Sequence, residues 1–301
     1  MMTAKRISEP EPWNQEPCDP DFWRRAWRRA RETSFLKCSQ KASPTAWHDF
    51  YAQVSDSYLA LWGQDGEQGQ RLVAEMARQG LLRPGRKDIL DVGCGPGTMA
   101  LPLAAAGHNV IALDWCQPML DNLERAATGR ALGRVQTVHA RWEDHRPAQA
   151  HDLVLASFFP DALSVQGLER LESWSRDKVV LVLGTGEEHF AFRRDMWRQV
   201  LATPYHDGGF HLACALGWLN ASHRRPNLRH LAWPVSFDHP LETVHDFYCR
   251  YFAIFGKSGP GVERDIRNIL ERWRVGDRVR AQGTNSLALL WWERRPAGAR
   301  P

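Results

Sequence analysis

No apolar run in the 301-residue chain reaches the roughly 18–20 residues that a membrane-spanning helix needs. The first residues contain no apolar stretch of signal-peptide type, so a cytoplasmic protein is expected. The six cysteines, Cys18, Cys38, Cys94, Cys116, Cys214 and Cys249, form no C-x-x-C pair. That spacing suits neither a disulfide framework nor a structural zinc site, and no metal site is expected. The net charge of +4 is too small to demand a nucleic-acid partner. No Gly-Lys-Ser/Thr occurs, which excludes a P-loop.

What the chain does have is 43% apolar and 25% charged residues, ordinary for a globular protein, and fourteen tryptophans, which suit core packing or an aromatic ligand site. Arg24, Arg25, Arg28, Arg29 and Arg31 cluster near the start. Residues 1–20 read as a tail without periodicity. Asp19-Pro20 reads as an N-cap and first helical residue. Ser43-Pro44 reads as a second helix start, with Trp47, Phe50, Tyr51, Val54, Tyr58 and Leu61 at helical intervals up to Gly63. A third helix is expected at about 67–79, and Arg83-Pro84-Gly85 as a turn.

From Asp88 the pattern changes. Strands are expected at 89–92, 109–113, 135–139, 152–157 and 178–183, with helices at about 98–106, 117–127 and 163–175 between them. Apolar strands alternating with helices predict a parallel sheet buried on both faces. A helix at about 187–201, a Gly/His/Trp-rich stretch at 205–223, a strand at 227–237, helices at about 240–255 and 262–273, and a strand at 286–292 complete the reading. The α/β fold expected is a Rossmann-like, seven-stranded, mostly parallel sheet with helices on both faces. The divisions expected are an N-terminal tail and helical cap at 1–85, a ligand-binding core at 86–186, and a substrate-lid insertion with the final strands at 187–301.

The most informative segment runs from Asp88 to Thr98: a strand, a glycine-rich turn and a helix. Glycines there let backbone approach a ligand, at the strand ends where open α/β sheets bind ligands. The spacing Gly93-x-Gly95-x-Gly97, followed by Thr98, departs from the dinucleotide pattern G-x-G-x-x-G/A. Pro96 removes a backbone donor, so the loop suits a neutral or zwitterionic ligand better than phosphate. Asp114 ends the next strand, where a carboxylate can accept from a ribose diol.

Residues 88–160 resemble the class I S-adenosylmethionine-dependent methyltransferases, through Asp91, Gly93, Gly95, Gly97, Asp114, Pro118, Met119 and Leu120. The resemblance implies S-adenosyl-L-methionine as cofactor. Asp91, Gly93, Cys94, Gly95 and Gly97 would surround its methionine part, with Met119 nearby. Asp114 would hold the ribose, with Trp115 beside the adenine. Trp142 and Glu143 would flank the adenine, where Arg141 stands in the place of the usual acid. Ser157 and the following Phe158-Phe159-Pro160 would lie where sulfonium meets acceptor, and Tyr51 would lie over the cofactor.

In-line methyl transfer to a small-molecule substrate is the function implied. Arg193 and Arg194 lie in the region after the fifth strand. His189, Tyr205, His206 and His211 there are the candidates for an acid or base, with 205–218 as a lid. The alternatives are an RNA-modifying methyltransferase whose Arg24–Arg31 cluster tracks phosphates, and a non-catalytic S-adenosylmethionine-binding protein. The clustered cysteines of arsenite methyltransferases and the D/N-P-P-Y/F motif of DNA and protein-glutamine methyltransferases are absent.

Overall fold

A computed structural model describes residues 16–62, 66–82, 85–130, 134–186, 189–204 and 208–294. Most of the tail, Gly63, the Arg83-Pro84 turn, Tyr205 and His206 lie outside the described residues.

Four helices come first: α1 (Pro20–Glu32), α2 (Phe35–Ala42), α3 (Ala46–Trp62) and α4 (Glu67–Arg78). Asp19 caps α1 as expected, its carboxylate accepting from the Asp21 N–H at 2.9 Å. The alternating core follows: β1 (Asp88–Val92), α5 (Ala100–Ala105), β2 (Asn109–Asp114), α6 (Gln117–Gly129), β3 (Val135–His139), β4 (His151–Ser157), α7 (Val165–Trp174) and β5 (Ser175–Gly184). The last part comprises α8 (Ala191–Val200), α9 (Phe210–Ala221), β6 (Asn227–Pro240), α10 (Leu241–Ala253), α11 (Pro260–Glu271), β7 (Arg274–Val275) and β8 (Arg278–Glu293).

The sheet order is β3-β2-β1-β4-β5-β8-β6, with the two-residue β7 paired to β8 as an eighth strand. The first five strands are parallel. β8 is antiparallel to β5 and β6 is antiparallel to β8. Side chains alternate between the two faces. Ile89 and Leu155 therefore enter a core with α3–α6, α8, α10 and α11, while Leu90 and Val154 enter a second core with α1, α7 and α9.

Three readings need correction. Ser43 is not the start of a helix but the cap that ends α2, and α3 begins at Ala46. The stretch at 205–223 is not irregular throughout, because 210–221 is the helix α9, buried through Cys214, Ala215, Trp218 and Leu219. The last strand begins at Arg278, eight residues before the expected start.

Candidate functional site

β1 delivers Asp91 to the carboxyl edge of the sheet, and the chain then turns through three glycines with positive φ: Gly93 at 70°, Gly95 at 52° and Gly97 at 93°. The three positions have different reasons to lack a side chain. A Cβ on Gly93 would lie 2.3 Å from the Phe159 ring, and one on Gly97 would lie 2.4 Å from Leu123 Cδ1. A Cβ on Gly95 would meet nothing within 4 Å. Gly93 and Gly97 thus let the loop pack closely. Gly95 leaves its side-chain volume open to the cavity it lines.

That cavity measures about 1200 Å³. Pockets for one drug-sized ligand span about 300–1000 Å³, so it has room for two small molecules. Its floor is the glycine loop and the ends of β1, β2 and β4, and its roof comes from α1, α2, α3 and α10. A neighbouring cavity of about 250 Å³ shares Gly93, Asp114, Trp115, Phe159 and Asp161 with it, and adds Ala140, Arg141, Trp142 and Glu143.

Asp91 is buried and electrostatically perturbed. It is 1% exposed. Neither carboxylate oxygen has a hydrogen-bond partner among the described residues. Burial, with the Asp114 charge adding to it, pushes its carboxyl up to about 7, and the nearby Ala100 N–H offsets this only in part. Asp114 differs: its oxygens accept from the Gly95 and Cys116 N–H groups, both at 2.9 Å. Burial still raises its carboxyl, against the pull of those N–H groups. Burial also raises the Cys94 thiol, with Asp91 and Asp114 adding to it, so the sulfur stays protonated.

The chain then leaves β4 through Phe158, whose φ of 50° is unusual for a bulky residue and which is 44% exposed. Such conformations cost on the order of 1–3 kcal/mol and collect at functional sites. Phe158 lines the larger cavity.

Residues 89–176 match the family described as "Methyltransferase domain". The chain is 44% identical over 70 residues to an uncharacterised protein of Haemophilus influenzae, across 23% of this chain and 26% of that protein. It is 36% identical over 77 residues to the ubiquinone biosynthesis O-methyltransferase of Rickettsia akari, across 22% and 30% of the two chains. The chain therefore spans about a quarter to a third of the length of the curated relatives it matches. Among solved structures, YcgJ from Bacillus subtilis is similar with a TM-score of 0.48 and 13% identity, over 77% of this chain and all of that one. The chain carries a methyltransferase domain.

Most of the cofactor residues that the resemblance implies meet around the larger cavity: Tyr51, Asp91, Gly93, Cys94, Gly95, Asp114, Trp115, Met119 and Ser157. Trp142 and Glu143 line the smaller one. Gly97 lines neither, because it is packed against Leu123 and Leu101. Trp115 has the Arg141 guanidinium 5.0 Å from its ring centroid and the His48 ring at 4.4 Å. Burial raises the Tyr51 hydroxyl well above its usual range, with Tyr58, Tyr251, Asp114 and Asp161 adding to it.

Of the expected acid–base groups, His189 and His211 both line the larger cavity. His189 Nδ1 is 2.9 Å from the Thr284 carbonyl, to which it donates. Of the expected lid, Gly208 to His211 belong to the wall, whereas residues 212–218 line neither cavity and belong to the packed helix α9. The arginine cluster divides. Arg24 pairs with Asp21 and Glu169, at 3.4 and 3.2 Å, and Arg25 lies 4.0 Å from Asp19. Arg31 instead lines the cavity, its guanidinium pKa lowered by burial against the opposing charge of Asp161.

Sequence reasoning missed Asp161, Gln68 and Asn285, all in the cavity wall. Asp161 had a signal, three residues past Phe158. Gln68 and Asn285 had none, since they come from the cap helix α4 and from a part of β8 not read as strand.

Proposed function

We propose that this protein transfers the methyl group of S-adenosylmethionine to a small molecule held in the larger cavity. The observation that carries the reading is the buried Asp91 carboxylate without a hydrogen-bond partner, set at the glycine loop beside the cavity. A buried carboxylate of this kind is costly unless an opposite charge or a donor reaches it, and the ammonium of an amino-acid moiety is such a group. Asp114 at the end of β2 is suited to the ribose hydroxyls, since each oxygen can accept beyond its single backbone N–H. The smaller cavity, walled by Trp115, Trp142 and Glu143, suits the adenine.

When bound, S-adenosylmethionine supplies an electrophilic methyl group on a sulfonium. The chain's own contribution is position and exclusion of water. Asp91, Asp114 and the glycine loop hold one reactant. The aromatic roof of Trp47, Tyr51 and Tyr58 covers it, and Phe158 borders the space left for the other. Fixing two reactants in this way contributes on the order of 7–11 kcal/mol to such a reaction. His189, oriented by the hydrogen bond from its Nδ1 to the Thr284 carbonyl, is the candidate base for an acceptor that must lose a proton.

A small-molecule acceptor is supported by the aromatic lining, by a cavity with room for two small ligands, and by the ubiquinone O-methyltransferase among the relatives. Its extension to an RNA acceptor has less support, because Arg24 and Arg25 are engaged in ion pairs and Arg31 lines the cavity. The test is transfer of labelled methyl from S-adenosylmethionine into the small-molecule and RNA fractions of a cell extract. Label in the small-molecule fraction, lost with Asp114→Ala, supports the proposal. Label in RNA alone rejects the acceptor class, and binding without any transfer supports a non-catalytic role.

A further inference from the structure

β8 is apolar over Leu287–Trp292, and every one of those residues is buried. Asn285, two positions earlier, is just as buried at 2% exposure, yet carries an amide. Its Nδ2 donates to Gln68 Oε1 at 2.9 Å. Its Oδ1 has no hydrogen-bond partner among the described residues. A leucine of similar volume would bury the position without leaving a polar atom unsatisfied, so the fold alone gives no reason for an amide here.

Position supplies a reason. Asn285 and Gln68 both line the larger cavity, and so does His189, whose Nδ1 docks on the carbonyl of Thr284, the residue before Asn285. Gly283, two residues before Asn285, lets the backbone of His189 pass close, since a Cβ there would lie 2.1 Å from the His189 oxygen. β8 therefore seats His189 and Asn285 at neighbouring positions of the same cavity wall. Gln68, in the first turn of α4, fixes the amide from the cap side.

We propose that the Gln68–Asn285 pair is a hydrogen-bonding subsite for the methyl acceptor, in which Asn285 Oδ1 receives the hydrogen of a hydroxyl or amino group on a small cyclic or aromatic molecule. This rests on the reading of the cavity as a methyl-acceptor site. A site built to bond a hydroxyl rejects the analogue that lacks it, because its own polar atom is then left unpaired. The acceptor class is accordingly one with an O–H or N–H donor, and a plain hydrocarbon ring is excluded.

The test compares phenol with toluene, which differ by a hydroxyl in place of a methyl, on the full-length protein with and without S-adenosylhomocysteine. Phenol is expected to bind about tenfold more tightly than toluene, and Asn285→Leu to abolish the difference. Asn285→Leu is also expected to bind S-adenosylhomocysteine as the wild type does, and to unfold at an equal or higher temperature. Asn285→Asp, which keeps an oxygen acceptor, retains the phenol preference and serves where the leucine variant does not fold. Equal binding of the two probes, no binding of either, or a preference that survives in Asn285→Leu overturns the proposal. Failure of the wild type to bind S-adenosylhomocysteine counts against the proposed function, while the comparison of the two probes without it still judges the subsite.

Discussion

The indole N–H of Trp27 donates to Nδ1 of His211 at 2.9 Å. An imidazole that accepts at Nδ1 is neutral and carries its proton on Nε2. Burial, helped by the Arg31 charge, lowers this histidine to about 4, so it is neutral at physiological pH. It then offers the cavity a donor rather than a base. We predict that His211→Gln lowers methyl transfer by less than about tenfold, where loss of a general base costs about 10²–10⁴-fold. Nitrogen chemical shifts should show the Nε2–H form down to about pH 4. A titration near 6.5 would contradict this tautomer assignment.

The same histidine has a consequence for stability. Its folded-state value lies below the ordinary 6.5, so the unfolded chain binds more protons between about 4 and 6.5. This contribution to stability is gained as pH rises through that window. Asp91 has the opposite sign: with its carboxyl raised to about 7, the folded state binds more protons between about 4 and 7, and stability falls as pH rises there. Denaturant unfolding at pH 4.5 and 7 should therefore shift in opposite directions in His211→Phe and Asp91→Asn. Shifts of the same sign would refute the assignment.

Asp91 also predicts proton release. A carboxyl near 7 is about half protonated at pH 7, and an ammonium beside it favours the ionised form. Binding of S-adenosylmethionine should release up to about half a proton at pH 7, with affinity rising from pH 6 to 8. Calorimetry in two buffers of different ionisation enthalpy measures this, and identical heats would count against it.

The glycine loop separates stability from binding. Gly97→Ala meets both a φ of 93° and Leu123, and should lose roughly 1–3 kcal/mol of stability. Gly95→Ala meets no neighbour, and its methyl group enters the cavity. It should weaken cofactor binding by about tenfold or more, with a smaller loss of stability from its φ of 52°. Melting curves and cofactor titrations of both variants check the contrast, which a common effect on both properties would remove.

The parallel core was legible because its strands are short, continuously apolar and separated by helices of clear period. Asp91, Gly95 and Asp114 were legible because the loop that holds them is local in sequence. α9 was not, since Phe210–Ala221 is apolar around most of its circumference and shows no stripe, as befits a helix that packs between α1 and the sheet. Its Gly217 reads as a breaker, yet a Cβ there would lie 2.3 Å from the Trp23 ring, so the residue serves close helix packing. α2 is only eight residues long and is set by the Ser34 cap. The first half of β8 was missed because Arg278–Asn285 is largely polar and carries Gly283, unlike its apolar second half. Asn285 sits at that junction, and only the folded pairing shows that it faces Gln68.

α9 is anchored by a second long-range contact. Arg224, just past its end, forms three hydrogen bonds of 2.9–3.1 Å with Glu172 of α7, and stacks 4.4 Å from the Trp218 ring. Both charged side chains are largely buried. Glu172→Ala leaves the guanidinium without its carboxylate and should destabilise the protein by about 3–5 kcal/mol. Urea unfolding measures this. A change below about 1 kcal/mol would mean that solvent reaches the arginine.

The most direct test of the account is calorimetric titration of S-adenosylmethionine into the wild-type protein and into Asp91→Asn. The wild type should bind one equivalent, and the neutral isostere should bind at least about tenfold more weakly while folding normally, because the buried charge that meets the ammonium is gone. No binding to the wild type, or equal affinity in the two proteins, contradicts the assignment of Asp91 and the function built on it.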